Sequence, residues 1–109
     1  MAHDEELAER VRAALNGQEG LTEKRMFGGL AFLLDGHMAV ASSSQGGIMV
    51  RVDPAREDQL LAGLGVEPMI MRGRPMTGWL RVAREQLDDA ALRGWVGEGV
   101  AYVRTLPPK

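Results

Sequence analysis

Apolar and polar positions along this chain follow two different periods, and the switches between them mark out its elements. Leu7, Val11, Ala14 and Leu15 recur at helical spacing and predict a first helix from about Asp4 to Asn16. Its first turn is acidic, which suits the positive end of a helix dipole, and Asn16-Gly17 supplies the stop. Lys24 to about Leu34 reads as a first strand interrupted at Gly28-Gly29, where a bulge or a close backbone approach is expected. Asp35-Gly36 signals a tight hairpin, because a type I′ turn needs positive φ at both central residues. The return strand runs from His37 to about Ser42, and Ser43-Ser44-Gln45-Gly46 reads as the next turn. From Gly47 to Val52 the period is two: Ile48, Val50 and Val52 face one way, Met49 and Arg51 the other.

Asp53-Pro54 starts a second helix, with aspartate as N-cap, proline in the first turn and Leu60, Leu61 and Leu64 on its apolar face. A short strand near Pro68 to Met71, a loop over Arg72-Gly73-Arg74-Pro75 and a strand from about Thr77 to Ala83 follow. In that last strand Leu80 and Val82 oppose Trp79 and Arg81. The final helix runs from about Asp88 to Leu106. Leu92, Trp95, Val96, Gly99, Val103 and Leu106 form one stripe, and Leu87 and Leu92 have the spacing of a hydrophobic staple around the Asp88 cap. Gly99 lies on the stripe and is expected to pack closely on the sheet, whereas Gly94 and Gly97 have no evident reason. The order α-β(3)-α-β(2)-α predicts a two-layer α+β fold, a mostly antiparallel five-stranded sheet with helices on one face.

The 109 residues suffice for a single domain over 1–109 with one core, and 45% apolar content agrees. With no cysteine there is neither a disulfide nor a thiolate metal site. The longest apolar run, Met26 to Leu34, is nine residues. A membrane span needs about 18 or more. An acidic N-terminus unlike a leader adds to the expectation of a cytoplasmic protein off the membrane. Net charge is −2, which is no global footprint for nucleic acid. The exception is local: Met69 to Arg84 holds Arg72, Arg74, Arg81 and Arg84 and no acid.

Arg25-Met26-Phe27-Gly28-Gly29, the Asp35-Gly36 hairpin and Val50-Arg51-Val52-Asp53 leading into a helix together resemble the N-terminal domain of the TfoX/Sxy family of competence regulators. Gly73-Arg74-Pro75-Met76 and the tryptophan-bearing last helix fit the same pattern, so the resemblance runs from about residue 5 to residue 106. It implies an α+β domain similar to type III secretion chaperones, with no cofactor and no established catalytic residues. It also implies a link to transcriptional co-activation of DNA-uptake genes, for which the family's regulators carry a second, helical domain.

The residues themselves name no nucleophile, base and orienting group together, so a non-enzymatic protein is expected. Gly28-Gly29 is followed by a strand rather than the helix N-terminus that a phosphate cradle needs. His3 and His37 have no ligand spacing, and no metal is expected. Six of the seven methionines lie between positions 26 and 76. Met49 and Trp79 oppose the core faces of their strands, which predicts an apolar patch on the sheet's open face. The leading expectation is a protein-interaction domain, binding a partner or a second copy through that face or through an edge strand. One alternative is weak, salt-dependent DNA contact through Arg72, Arg74, Arg81 and Arg84. The other is a small-anion site in which Arg25 and Arg74 meet at one sheet end.

Overall fold

The apolar stripes read from the sequence converge on one side of a single sheet. The computed structural model describes residues 5–26, 29–42 and 46–107. Among them the order is α1 (Glu5–Ala14), β1 (Leu21–Met26), β2 (Gly29–Leu34), β3 (His37–Ser42), β4 (Ile48–Arg51), α2 (Glu57–Leu61), β5 (Val66–Met71), β6 (Arg74–Val82) and α3 (Asp89–Val103). Short 3-10 turns, Pro54–Arg56 and Arg84–Gln86, lead out of β4 and β6. The six strands form one antiparallel sheet in the order β1-β2-β3-β4-β6-β5.

All three helices cover the same face. Leu7, Val11 and Leu15 from the α1 region and Leu92 and Val96 from α3 bury with Phe32, Val40, Val50, Leu80 and Val82 of the sheet, and Leu60 and Leu61 of α2 pack on the same cluster. The α+β fold with helices on one face is therefore as the periodicity implies. Local signals hold as well. Asp35 (φ 52) and Gly36 (φ 87) both take positive φ. Asp53 caps the first turn after β4 through the Ala55 N–H, and Asp88 caps α3 through the Ala91 N–H. Leu87 and Leu92 are both buried, as the staple requires.

The strand count is six, not five. Lys24 to Leu34 is not one interrupted strand: β1 and β2 pair with each other, from Leu21 opposite Leu34 to Met26 opposite Gly29. The two strands run antiparallel, and Gly29 opens β2 rather than bending a longer strand. Phe27 and Gly28 lie outside the described residues, as do His3 and the turn residues Ser43, Ser44 and Gln45. The irregularity expected at the glycines occurs instead between Phe32 and Leu33, where Ala39 is the extra residue on β3 and turns inward beside Val40. Near the other edge, Arg72-Gly73-Arg74-Pro75 is not a loop. Arg72 (φ 53) and Gly73 (φ 78) make a tight turn, and β6 already begins at Arg74. Leu64 lies beyond the short helix α2 and is 79% exposed, so it does not join that helix's apolar face.

α3 lies against β3 and β4 at Gly99. A Cβ built there comes within 2.7 Å of the Ala39 carbonyl oxygen and 3.2 Å of a Val50 methyl. Built on Gly94 or Gly97 it meets nothing within 4 Å. The end of α3 is tied down by Arg104, which pairs with Asp35 in the β2–β3 turn and donates to the Glu19 carbonyl. Close by, the buried His37 Nε2 lies 2.6 Å from the Pro107 carbonyl oxygen.

Candidate interaction surface

The sheet's second face has its own apolar cluster. Strict register produces a row of side chains across all six strands: Lys24, Ala31, Ala41, Met49, Arg81 and Glu67 are successive cross-strand partners. Ala31, Ala41, Met49 and Met69 are buried there, with Leu33, Met38, Met76 and Trp79 half-buried around them. None of the described helices packs on this cluster. Met49 is 5% exposed. It belongs to the floor of the surface and not to its contact layer, with the half-buried Leu33, Met38, Met76 and Trp79 packed against its cluster. The accessible apolar atoms belong to Leu33, Met38, Met76 and Trp79, and Ile70 on the edge strand β5 is 54% exposed.

The six residues singled out by sequence divide among three places. Met49, Trp79 and Arg81 share the open face. Arg72 and Arg74 sit on the exposed β5–β6 turn. Arg25 is elsewhere: its partner Leu30 belongs to the helix-side core, so Arg25 projects to the helix side of the edge strand β1. Register carries that position through Leu30, Ser42 and Ile48 to Val82, the opposite end of β6 from Arg74. The two arginines are also four strand spacings apart, about 19 Å. Arg25 and Arg74 therefore do not form one anion site.

The basic run Arg72 to Arg84 is divided in the same way. Arg74 and Arg81 lie roughly 20 Å apart along β6, Arg81 stands across from Glu67, and Arg84 pairs with Glu6 at 3.1 Å. This geometry gives no continuous cationic track for a phosphate backbone.

Sequence reasoning missed two groups. One is a network at the mouth of a cleft of about 400 Å3 between α1 and β1, lined by Glu9, Arg12, Glu23 and Arg25 among others. Arg12 donates to both carboxylate oxygens of Glu23, at 2.6 and 2.7 Å, and also pairs with Glu9. The hydrogen bonds from Arg12 hold the Glu23 carboxyl below its usual range against a smaller opposing effect of burial, and the two acids hold Arg12 above its own. Glu23's folded pKa is lowered, so its contribution to stability is fully present above the unfolded pKa and disappears as pH falls through the folded one. Glu23→Gln is expected to lower the urea midpoint slightly at pH 7 and not at all in acid once the wild-type carboxyl is protonated. A difference that persists in acid rules out the ion pair as its cause.

The second missed group is Arg51. β3 and β4 pair only as far as Val40 opposite Val50. Arg51 lies one residue past that point, with its guanidinium carbon 5.5 Å from the Trp79 ring centroid and 5.4 Å from that of Tyr102. Alternation placed Arg51 on the Met49 face, but nothing local pointed to a tyrosine 51 positions later in the chain.

Among the described residues no cluster of three or more histidine, aspartate or glutamate side chains is placed to hold a metal ion. No helix among them is long and apolar enough to cross a membrane. In comparisons with known proteins, the family model of the TfoX N-terminal domain matches residues 4–102. No curated protein and no solved structure matches the chain.

Proposed function

The chain belongs to the TfoX N-terminal domain family, and from that membership we propose a competence-related regulatory domain that acts by binding another protein rather than by catalysis. One observation carries this reading: among the described residues the sheet is covered by helices on one face only, while its other face presents Leu33, Met38, Met76 and Trp79, half-exposed over a buried floor. Methionine suits such a surface, since its unbranched, polarizable side chain repacks against different partners at small entropic cost. A face of this kind left in water favours association. The setting that fits is the cytoplasm, where regulators of gene expression meet their partners.

The test is affinity capture with mass spectrometry on three forms: wild type, Met38→Glu on the open face and Ala101→Glu on the exposed side of α3. A carboxylate at position 38 has to be desolvated when a partner covers it, so Met38→Glu is expected to lose what wild type and Ala101→Glu both retain. Identical capture by all three forms excludes the open face as the binding surface.

A further inference from the structure

We propose that Arg51 is a carboxylate clamp, and that the partner docking on the open face is an amphipathic segment of another protein with an acidic residue beside its apolar anchors. The proposal rests on the docking reading above and adds the chemistry of the partner. Its basis is how this guanidinium is held. Arg10, Arg12, Arg56, Arg84 and Arg104 each pair with a carboxylate. Arg51, half-buried, makes no ion pair and no side-chain hydrogen bond among the described residues. Its contacts there are the faces of Trp79 and Tyr102.

Two ring contacts restrict where a guanidinium can sit while using none of its N–H donors. Such a fork matches a carboxylate with two parallel hydrogen bonds, and little side-chain freedom remains to be lost when it binds. Trp79 is at once a contact of this cation and a member of the open-face cluster. Arg51 thus stands just past the end of the β3–β4 pairing, between Trp79 of the open face and Tyr102 of α3, and a segment that lies on Met38, Met76 and Trp79 and reaches that end passes beside it.

Charge selects the occupant. The sheet end beyond Trp79 leads to the turn bearing Arg72 and Arg74, neither of which has an ion pair among the described residues. Lys24 and Arg81 lie in the row across the face, against Glu67 as its one acid. An excess of positive charge disfavours a second copy docked face to face, which brings like charges together, and favours an acidic partner. The apolar floor between the cations distinguishes the surface from a phosphate-binding track.

The experiment titrates the full chain with a labelled amphipathic helical peptide of leucine and glutamate, with its counterpart carrying lysine for every glutamate, and with a labelled DNA duplex, all at moderate salt. Wild type is expected to bind the leucine-glutamate peptide and not the other two. Arg51→Gln is expected to weaken that binding about tenfold or more, and Arg51→Lys, which keeps the charge but not the fork, to restore it only in part. Arg93→Gln on the exposed side of α3 is expected to change nothing. Thermal unfolding of each variant shows whether Arg51→Gln still folds, and the lysine form carries the test if it does not.

Equal binding of both peptides, undiminished binding by Arg51→Gln, tighter binding of the duplex, or no binding of the acidic peptide each overturns the clamp. If both peptides bind alike and Met38→Glu abolishes both, the docking face stands and the clamp alone is wrong. If Met38→Glu leaves peptide binding intact, the docking reading fails with it. Light scattering that finds a dimer abolished by Met38→Glu assigns the face to a second copy and also overturns the proposal.

Discussion

Gly99→Leu is expected to prevent folding, and Gly99→Ala to destabilise the chain even though alanine is the better helix former. The Cβ of an alanine at this position stands 2.7 Å from the Ala39 carbonyl oxygen, a backbone atom that a rotamer change cannot remove. Relief requires α3 to lift from the sheet or the inward bulge of β3 to move. Overpacking of this kind costs about 1–3 kcal/mol, against roughly 1 kcal/mol gained from helix propensity. A leucine adds three more carbons in the same gap, which a domain stable by about 5–15 kcal/mol cannot absorb without losing the α3 contact altogether. Gly94→Ala and Gly97→Ala are the matched controls. They sit in the same helix with open space around them, and each is expected to raise stability by about 1 kcal/mol. Urea titration of the alanine variants decides the matter: a Gly99→Ala chain more stable than wild type contradicts the close approach. The consequence reaches the open face, since α3 also carries Tyr102, one of the two rings that hold Arg51.

Those three glycines also show what sequence can and cannot reveal. Gly99 falls on the apolar stripe, so its close packing was readable from periodicity. The hairpin at Asp35-Gly36, the caps at Asp53 and Asp88 and the alternation of Ile48 to Val52 were readable for the same reason, because each depends on residues within one turn or one strand. β1 was not readable as a separate strand. It pairs on one side only, and Thr22, Glu23, Lys24 and Arg25 give it no apolar alternation to detect. The turn at Arg72 was hidden because a non-glycine residue takes positive φ there.

Candidate residues were harder still. Their faces could be read from the period of two, which grouped Met49, Arg51, Trp79 and Arg81. Their neighbours depended on strand order, and β6 lies between β4 and β5 through a non-local pairing. That order separates Arg25 from Arg74 and joins Arg51 to Trp79. Family membership agrees with the fold that periodicity implies, while the chemistry of the surface follows from strand register and from the ring contacts of Arg51.

The register of that surface is expected to depend on Gly47 more than on any residue exposed on it. Gly47 takes φ +77, and a Cβ built on it comes within 2.1 Å of the Val82 carbonyl oxygen, 3.1 Å of the Val82 carbonyl carbon and 3.2 Å of the Arg84 nitrogen. All three are backbone atoms, two at the end of β6 and one in the turn just after it, so a side chain at position 47 forces β4 and β6 apart where Ile48 should meet Val82. Gly46, its neighbour, takes φ +89 with nothing within 4 Å of a Cβ. Gly46→Ala is therefore expected to cost only the left-handed backbone penalty, about 1–2 kcal/mol. Gly47→Ala adds the overlap, about 1–3 kcal/mol more. The difference between the two urea midpoints measures the overlap free of the backbone term, and equal midpoints contradict the packing of β4 on β6. The same pairing sets Met49 opposite Arg81 and Arg51 opposite Trp79. Near its midpoint, Gly47→Ala is thus expected to lose binding of an acidic amphipathic peptide in proportion to the fraction unfolded, whereas Arg51→Gln loses it in a chain that remains folded.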